Sequence, residues 1–148
     1  MPVIDGEYIK RAMALQLKDR LPEIVRYREG QTQNFKRESV VIHQLMMQQN
    51  KRMENRFVRD YRMRLHYFPT RPNNNPKEDC DRRGNDLAEI YTLLELPGYP
   101  VRGENIEFEI SDDTLHFNVD FRICADLELP PLPLQEQLFS DINIIESN

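Results

Sequence analysis

Tryptophan is missing from this 148-residue chain, glycine occurs only five times and cysteine only twice. The glycines at Gly84, Gly98 and Gly103 stand isolated, which excludes a glycine-rich phosphate loop. The cysteines have no metal-ligand spacing: Cys80 lies in the charged Lys77–Arg83 segment and Cys124 in an alternating apolar run. They read as unpaired thiols of a reducing, cytosolic compartment, with a Cys80–Cys124 disulfide as the alternative. No run approaches the roughly 18 apolar residues that span a bilayer. The start, MPVIDGEYIKRA, has no continuous apolar core and already carries Asp5, Glu7 and Lys10, so no signal peptide is expected. Nucleophile elbows and cysteine-rich metal patterns are absent as well. No catalytic residue, cofactor or metal is therefore expected.

What is present fits one folded domain: 39% of residues are hydrophobic and 30% charged, the balance of a globular chain rather than a disordered one. Eight of its ten prolines cluster at 69–76, 97–100 and 130–133 and punctuate it there. The net charge of −5 conceals an asymmetry. Residues 104–148 hold eleven acids against the single base Arg122, while residues 1–103 carry a net +5. Such a dipolar chain can dock basic face to acidic face on copies of itself, or simply solvate its acidic end. The acidic sum disfavours strong nucleic-acid binding.

Periodicity gives the elements. Asp5 is an N-cap candidate for a helix running to Leu21, where Pro22 stops it. Tyr8, Ile9, Ala12, Met13, Leu17 and Leu21 form its apolar face. Ile24–Arg28 reads as a short strand. A β-branched and methionine-rich stretch, SVVIHQLMM, leads through polar residues 48–55, loop or continued strand, into Arg56–Phe68. There Phe57, Tyr61, Met63, Leu65 and Tyr67 share one parity, and Arg56, Asp60, Arg62, Arg64 and His66 the other. A second helix is expected over Asp79–Leu96 on the stripe Leu87, Ile90, Tyr91 and Leu94, ended by Pro97-Gly98. Strict alternation on both sides of Ser111-Asp112-Asp113 predicts a hairpin with Ile106, Phe108, Ile110, Leu115, Phe117, Val119, Phe121 and Ile123 inward. The fold class is α+β: an antiparallel or mixed sheet with two helices packed on one face. The domain is expected over 1–126, and a proline-containing arm over 127–148.

Several residues have more than one reading. His66 and His116 lie on polar parities and approach each other if their strands are neighbours. A metal site then needs a third ligand such as Asp120 or Glu109; the plainer reading is sheet histidines paired with carboxylates. Arg56, Arg62 and Arg64, with Arg59 nearby, form a guanidinium ladder. It suits salt bridges to a neighbouring subunit, phosphate contact with DNA, or a solvated face balanced by Glu107 and Glu109. Asp112-Asp113 is turn chemistry rather than an acid pair.

The segments NRFVRDYRMRLHYFP, NDLAEIYTLLE and VRGENIEFEISDDTLHFNVDFRI, in this order, resemble the phage tail terminator family of contractile and defective-prophage tails. The resemblance rests on Tyr67-Phe68-Pro69, Arg102-Gly103, Glu109-Ile110, Asp112 and Leu115-His116-Phe117, across residues 54–126. It implies a structural virion protein that forms a ring, hexameric in related terminators, at the head-proximal end of the tail. Such a ring caps the tail tube, ends its polymerisation and offers a surface for head–tail joining. The implied partners are further copies of this chain, the tube protein, sheath and connector proteins, and DNA passing through the lumen. Assembly would take place in the host bacterial cytoplasm, with no membrane involved. On this reading Arg56, Arg59, Arg62, Arg64, Glu107, Glu109, Leu129, Leu132 and Leu134 are subunit-interface candidates. Glu107, Glu109, Asp112 and Asp113 are lumen candidates. The rivals are a neck or tail-completion subunit of similar fold, a nucleic-acid-binding module built on the arginine ladder, and a metal hydrolase built on the histidines. The arm after 127 has no counterpart in the resemblance.

Overall fold

The computed structural model describes residues 4–27, 37–70 and 73–126. Helix α1 (Gly6–Arg20) is followed by strands β1 (Val25–Tyr27), β2 (Ser39–Met53) and β3 (Arg56–Phe68). Helix α2 (Pro76–Ile90) precedes β4 (Leu93–Leu94), β5 (Val101–Ser111) and β6 (Thr114–Asp126). The strands form one six-stranded sheet in the order β1-β2-β3-β6-β5-β4. Only β1 runs parallel to its neighbour, so the sheet is mixed by virtue of one three-residue strand. Both helices contribute to the single apolar core on the sheet's inner face. The expected arm, with Leu129, Leu132 and Leu134, lies outside the described residues.

The cap expected for α1 is formed. The Asp5 carboxylate accepts the Tyr8 N–H at 2.9 Å, satisfying one of the helix's unpaired donors. Ile9, Met13 and Leu17, one turn apart, are fully buried against the sheet. Burying a side chain of this kind stabilises the fold by about 1.5–3 kcal/mol.

The second helix differs from expectation at both ends. It begins at Pro76, whose missing N–H costs nothing in the first turn, and it stops at Ile90 rather than Leu96. The cause is a buried amide on the other helix. Gln16 Nε2 donates to the carbonyls of Ile90 (2.9 Å) and Leu93 (2.8 Å), and Gln16 Oε1 accepts the Glu95 N–H at 2.9 Å. Thr92 offers its carbonyl to the Gly103 N–H at 3.0 Å instead of continuing the helix. Residues 91–96 therefore turn into the sheet edge, where Leu93 and Leu94 pair with Arg102 and Val101. Leu87, Ile90, Tyr91 and Leu94 are all buried, so the stripe reads burial correctly across a change of backbone. Gly103 belongs to the same junction: a Cβ there would run into the Tyr91 carbonyl oxygen.

Polar residues 48–53 turn out to be strand. β2 and β3 pair from Ser39↔Phe68 out to Met53↔Arg56, closed by Glu54 and Asn55, with Glu54 at φ 46°. A bulge between Gln44 and Met46 inserts Leu45 and exchanges the two faces of β2. His43 therefore shares a face with Met46, not with Leu45. In the other hairpin Ser111 pairs with Thr114, and both turn residues, Asp112 and Asp113, are left-handed at 53° and 59°. That is the twist-matched two-residue turn, in which Asp is tolerated for its short polar side chain.

Candidate interaction surface

With β3 beside β6, the sheet's outer face is built from direct cross-strand rungs. Asp60 faces Arg122, Arg62 faces Asp120, Arg64 faces Asn118 and His66 faces His116. Arg62 grips Asp120 with two bonds, Nε at 2.9 Å and Nη2 at 3.1 Å. Arg122 grips Asp60 in the same way at 2.8 and 3.3 Å. Arg64 Nε donates to Asn118 Oδ1 at 2.8 Å, and Asn105 adds a bond to Asp120 at 2.9 Å. Burial works to raise the Asp120 carboxyl, but the bonds from Arg62 and Asn105 outweigh it and hold the carboxyl below its ordinary range. The bond from Asp120, and then its charge, keeps Arg62 firmly protonated.

The arginine ladder is thus shorter than the sequence suggested. Arg59 has the opposite parity and donates to Gln49 Oε1 at 2.6 Å on the other face of the hairpin. Arg56 sits at the hairpin tip. The partners of the remaining arginines come from β3 and β6 themselves. Glu107 and Glu109 belong to β5, opposite Asn118 and His116, and are exposed to solvent. Asp112 and Asp113 are exposed at the far turn.

The three histidines form a row across β2, β3 and β6. His66 lies 4.8 Å from His43 and 4.7 Å from His116, measured between ring centroids. Burial, then the neighbouring His43, His116 and Arg64, push His66 down to about 4. Nδ1 of His116 is buried with no hydrogen-bond partner among the described residues. Among those residues no group of three or more His, Cys, Asp or Glu side chains is arranged to hold a metal ion. Cys80 is buried, Cys124 is exposed, and both are free thiols. Burial, with Asp113 and Asp79 nearby, raises the Cys80 thiol to about 11, so it stays protonated at neutral pH.

Two polar clusters escaped the sequence reading. Gln16 is one. The other centres on Arg83 of α2, only 6% exposed. Its guanidinium donates to Glu38 at 3.1 and 3.0 Å, to Glu23 at 3.0 Å and to Asp86 at 3.3 Å. Tyr67 Oη donates to the same Glu38 at 2.6 Å. Burial pulls Glu38 upward, but the bonds from Arg83 and Tyr67 prevail and hold it below the usual carboxylate range. A signal existed for both clusters: Arg83 lies in phase with Leu87, and Gln16 beside Met13 and Leu17, so each is a polar residue on a buried stripe. Such a residue needs partners from elsewhere in the fold.

Beyond the helices, β2 emerges into solvent. Its first four residues are buried, and everything from Gln44 onward is exposed. Leu45, Met46, Met47 and Met53 are 43–64% exposed on this projecting strand. An outer face of charge-paired rungs, an acidic β5 margin and a projecting hairpin with uncovered methionines make an equipment for binding. No activated nucleophile stands among the described residues.

The fold is α+β, with charge-paired rungs on the outer face of its sheet. The family comparison then places it: a model described as phage tail terminator protein matches residues 8–130, and the chain belongs to that family. Its role is accordingly structural, as a component of a phage tail. Comparison with curated proteins returns no match. One solved chain is similar over 87% of this chain and 100% of its own, at 9% identity and a TM-score of 0.38, too slight a likeness to carry an argument.

Proposed function

We propose that this chain closes the end of the tail tube as a homo-oligomeric ring, hexameric by analogy with related terminators. The ring completes the repeating edge of the tube, stops further addition of tube subunits and presents its opposite face to the head connector. The observation that carries this reading is the family match, which takes in α1 from Tyr8 onward, α2 and all six strands. The surface supports it. The projecting β2–β3 hairpin offers apolar contact area to a neighbour, while Arg62 and Arg122 are already held by carboxylates. That internal pairing weakens the DNA-binding alternative, because phosphate would have to displace Asp120 and Asp60. Glu107 and Glu109, exposed on β5, are assigned to a lumen that repels DNA and lets it slide.

Electron microscopy of tails assembled with and without the chain tests termination. Overlong, polydisperse tails in its absence are expected. Tails of normal length that fail to join heads would assign it to the neck instead. Reversing both charges in E107K/E109K tests the lumen: DNA delivery should drop, and undiminished delivery would remove the acids from the channel wall.

A further inference from the structure

The two margins of the sheet are open in complementary ways. β1 pairs only with Ser39–Val41, and β4 only with Val101 and Arg102. Among the described residues, β2 beyond Val41 therefore has β3 on one side and no strand on the other. β5 stands likewise beyond Gly103, whose N–H goes to the Thr92 carbonyl, with β6 as its one strand neighbour as far as Ser111. A strand edge left in this condition is a template for another strand.

The two edges differ in charge. The β2 edge carries Met46 and Met47 and ends in Lys51 and Arg52, all exposed. The β5 edge carries exposed Glu104, Glu107 and Glu109 between the partly buried Ile106, Phe108 and Ile110. Pairing β2 with a second β2 would set base near base, and pairing β5 with a second β5 would set acid near acid. Each edge suits the other. The faces agree as well. Met47 lies opposite the buried Tyr61, and Phe108 opposite the buried Phe117, so both belong to the sheet's inner face.

Direction agrees too. β2, β3, β6 and β5 alternate in direction, so β2 and β5 run oppositely. Rotation about an axis roughly along the strands preserves each strand's direction. The β2 of one copy then meets the β5 of the next antiparallel. Within one chain the two edges are separated by β3 and β6, about 14 Å of sheet. The strand of matching charge and direction is therefore the one on a second copy.

We propose that the Met46–Met53 edge of β2 in one copy pairs antiparallel with the Glu104–Ser111 edge of β5 in the next, joining the sheets head to tail. The contact uses two different patches of the same molecule, so it propagates from copy to copy until rotation closes it. Met47 extends the neighbour's apolar layer beside Ile106 and Phe108, and Lys51 and Arg52 meet the neighbour's acidic edge. The inference rests on the ring proposed above and names the surfaces that close it.

Ring formation by the full chain, at high concentration or on tube ends, is scored by electron microscopy, with hydrogen exchange read on the same samples. On ring formation, the alternate amides of Met46–Met53 turned away from β3 and those of Glu104–Ser111 turned away from β6 should slow together, by about tenfold or more. K51E/R52E should lose rings, and so should E104K/E107K. All four changes in one chain should recover them, since the two edges are again opposite in charge. Protection of the Phe117 amide reports that each variant is folded. Rings in which either edge still exchanges fast overturn the proposal and leave the ring standing. Failure of the folded four-fold variant to recover rings does the same, as does slow exchange of the β2 amides already in the monomer. An unaltered chain that forms no ring even on tube ends removes the ring, and this interface with it.

Discussion

The two ends of β2 face opposite conditions along one continuous strand. Ser39–Ile42 are buried, while Gln44–Met53 are exposed and, among the described residues, pair only with β3. Backbone pairing is similar throughout, so what separates the ends is tertiary cover. At the base, Val40 and Ile42 join the apolar core to which α1 contributes Ile9, Met13 and Leu17, and the sheet there behaves as core. At the tip, apolar Leu45, Met46, Met47 and Met53 are exposed. A strand can thus be held at one end by folding and offered at the other for assembly.

The largest effect that would sharpen this contrast lies at the base. Phe117→Ala removes a fully buried ring and should cost about 3–5 kcal/mol in denaturant unfolding. A cost below about 1 kcal/mol would mean that the base is not packed as described. Next comes Arg83→Met, which strips the half-buried Glu38 of its main partner and should cost about 2–4 kcal/mol. Adding Glu38→Gln should recover part of that loss, since the stranded charge goes with it.

A smaller effect is expected from acid. An unfolded histidine binds its proton near 6.5, whereas folded His66 holds off until about 4. Between those values the unfolded chain carries more protons, so stability should fall as pH drops through this window and be fully present above it. His66→Asn should flatten the thermal-unfolding midpoint between pH 6.5 and 4, and an unchanged slope would assign the acid sensitivity elsewhere. The smallest effect belongs to the tip. Met47→Ser should move stability by no more than about 0.5 kcal/mol while weakening tail assembly in a complementation assay. A large loss of stability there would erase the distinction between the two ends.

Legibility in the sequence followed the range of the interactions. Asp5 with its i, i+4 stripe, and the alternating run around Asp112-Asp113, are local patterns, and both elements stand where expected. The end of α2 was not legible, because it is decided by Gln16, more than seventy positions away. Parity through Leu45 was lost to a bulge that no alternation rule announces. The arginine ladder was half read: its face was correct for Arg62 and Arg64. Their partners, and the exclusion of Arg59, depended on which hairpin strands became neighbours. The family resemblance rested on residues 54–126, whereas the match extends over 8–130 and so takes in most of α1, which packs on the same core.

The central seam between β3 and β6 has a further consequence, in time rather than space. Each hairpin joins strands adjacent in the chain, but the seam ties Arg56 to Asp126 across seventy positions. During synthesis the first hairpin emerges with its β3 flank open and waits for the second to be made. Closure of a contact so distant in sequence is the slow step of such a topology. The nascent subunit therefore passes through an interval in which its stickiest strands are its oldest ones, and crowding of neighbouring ribosomes on one message would be felt there first.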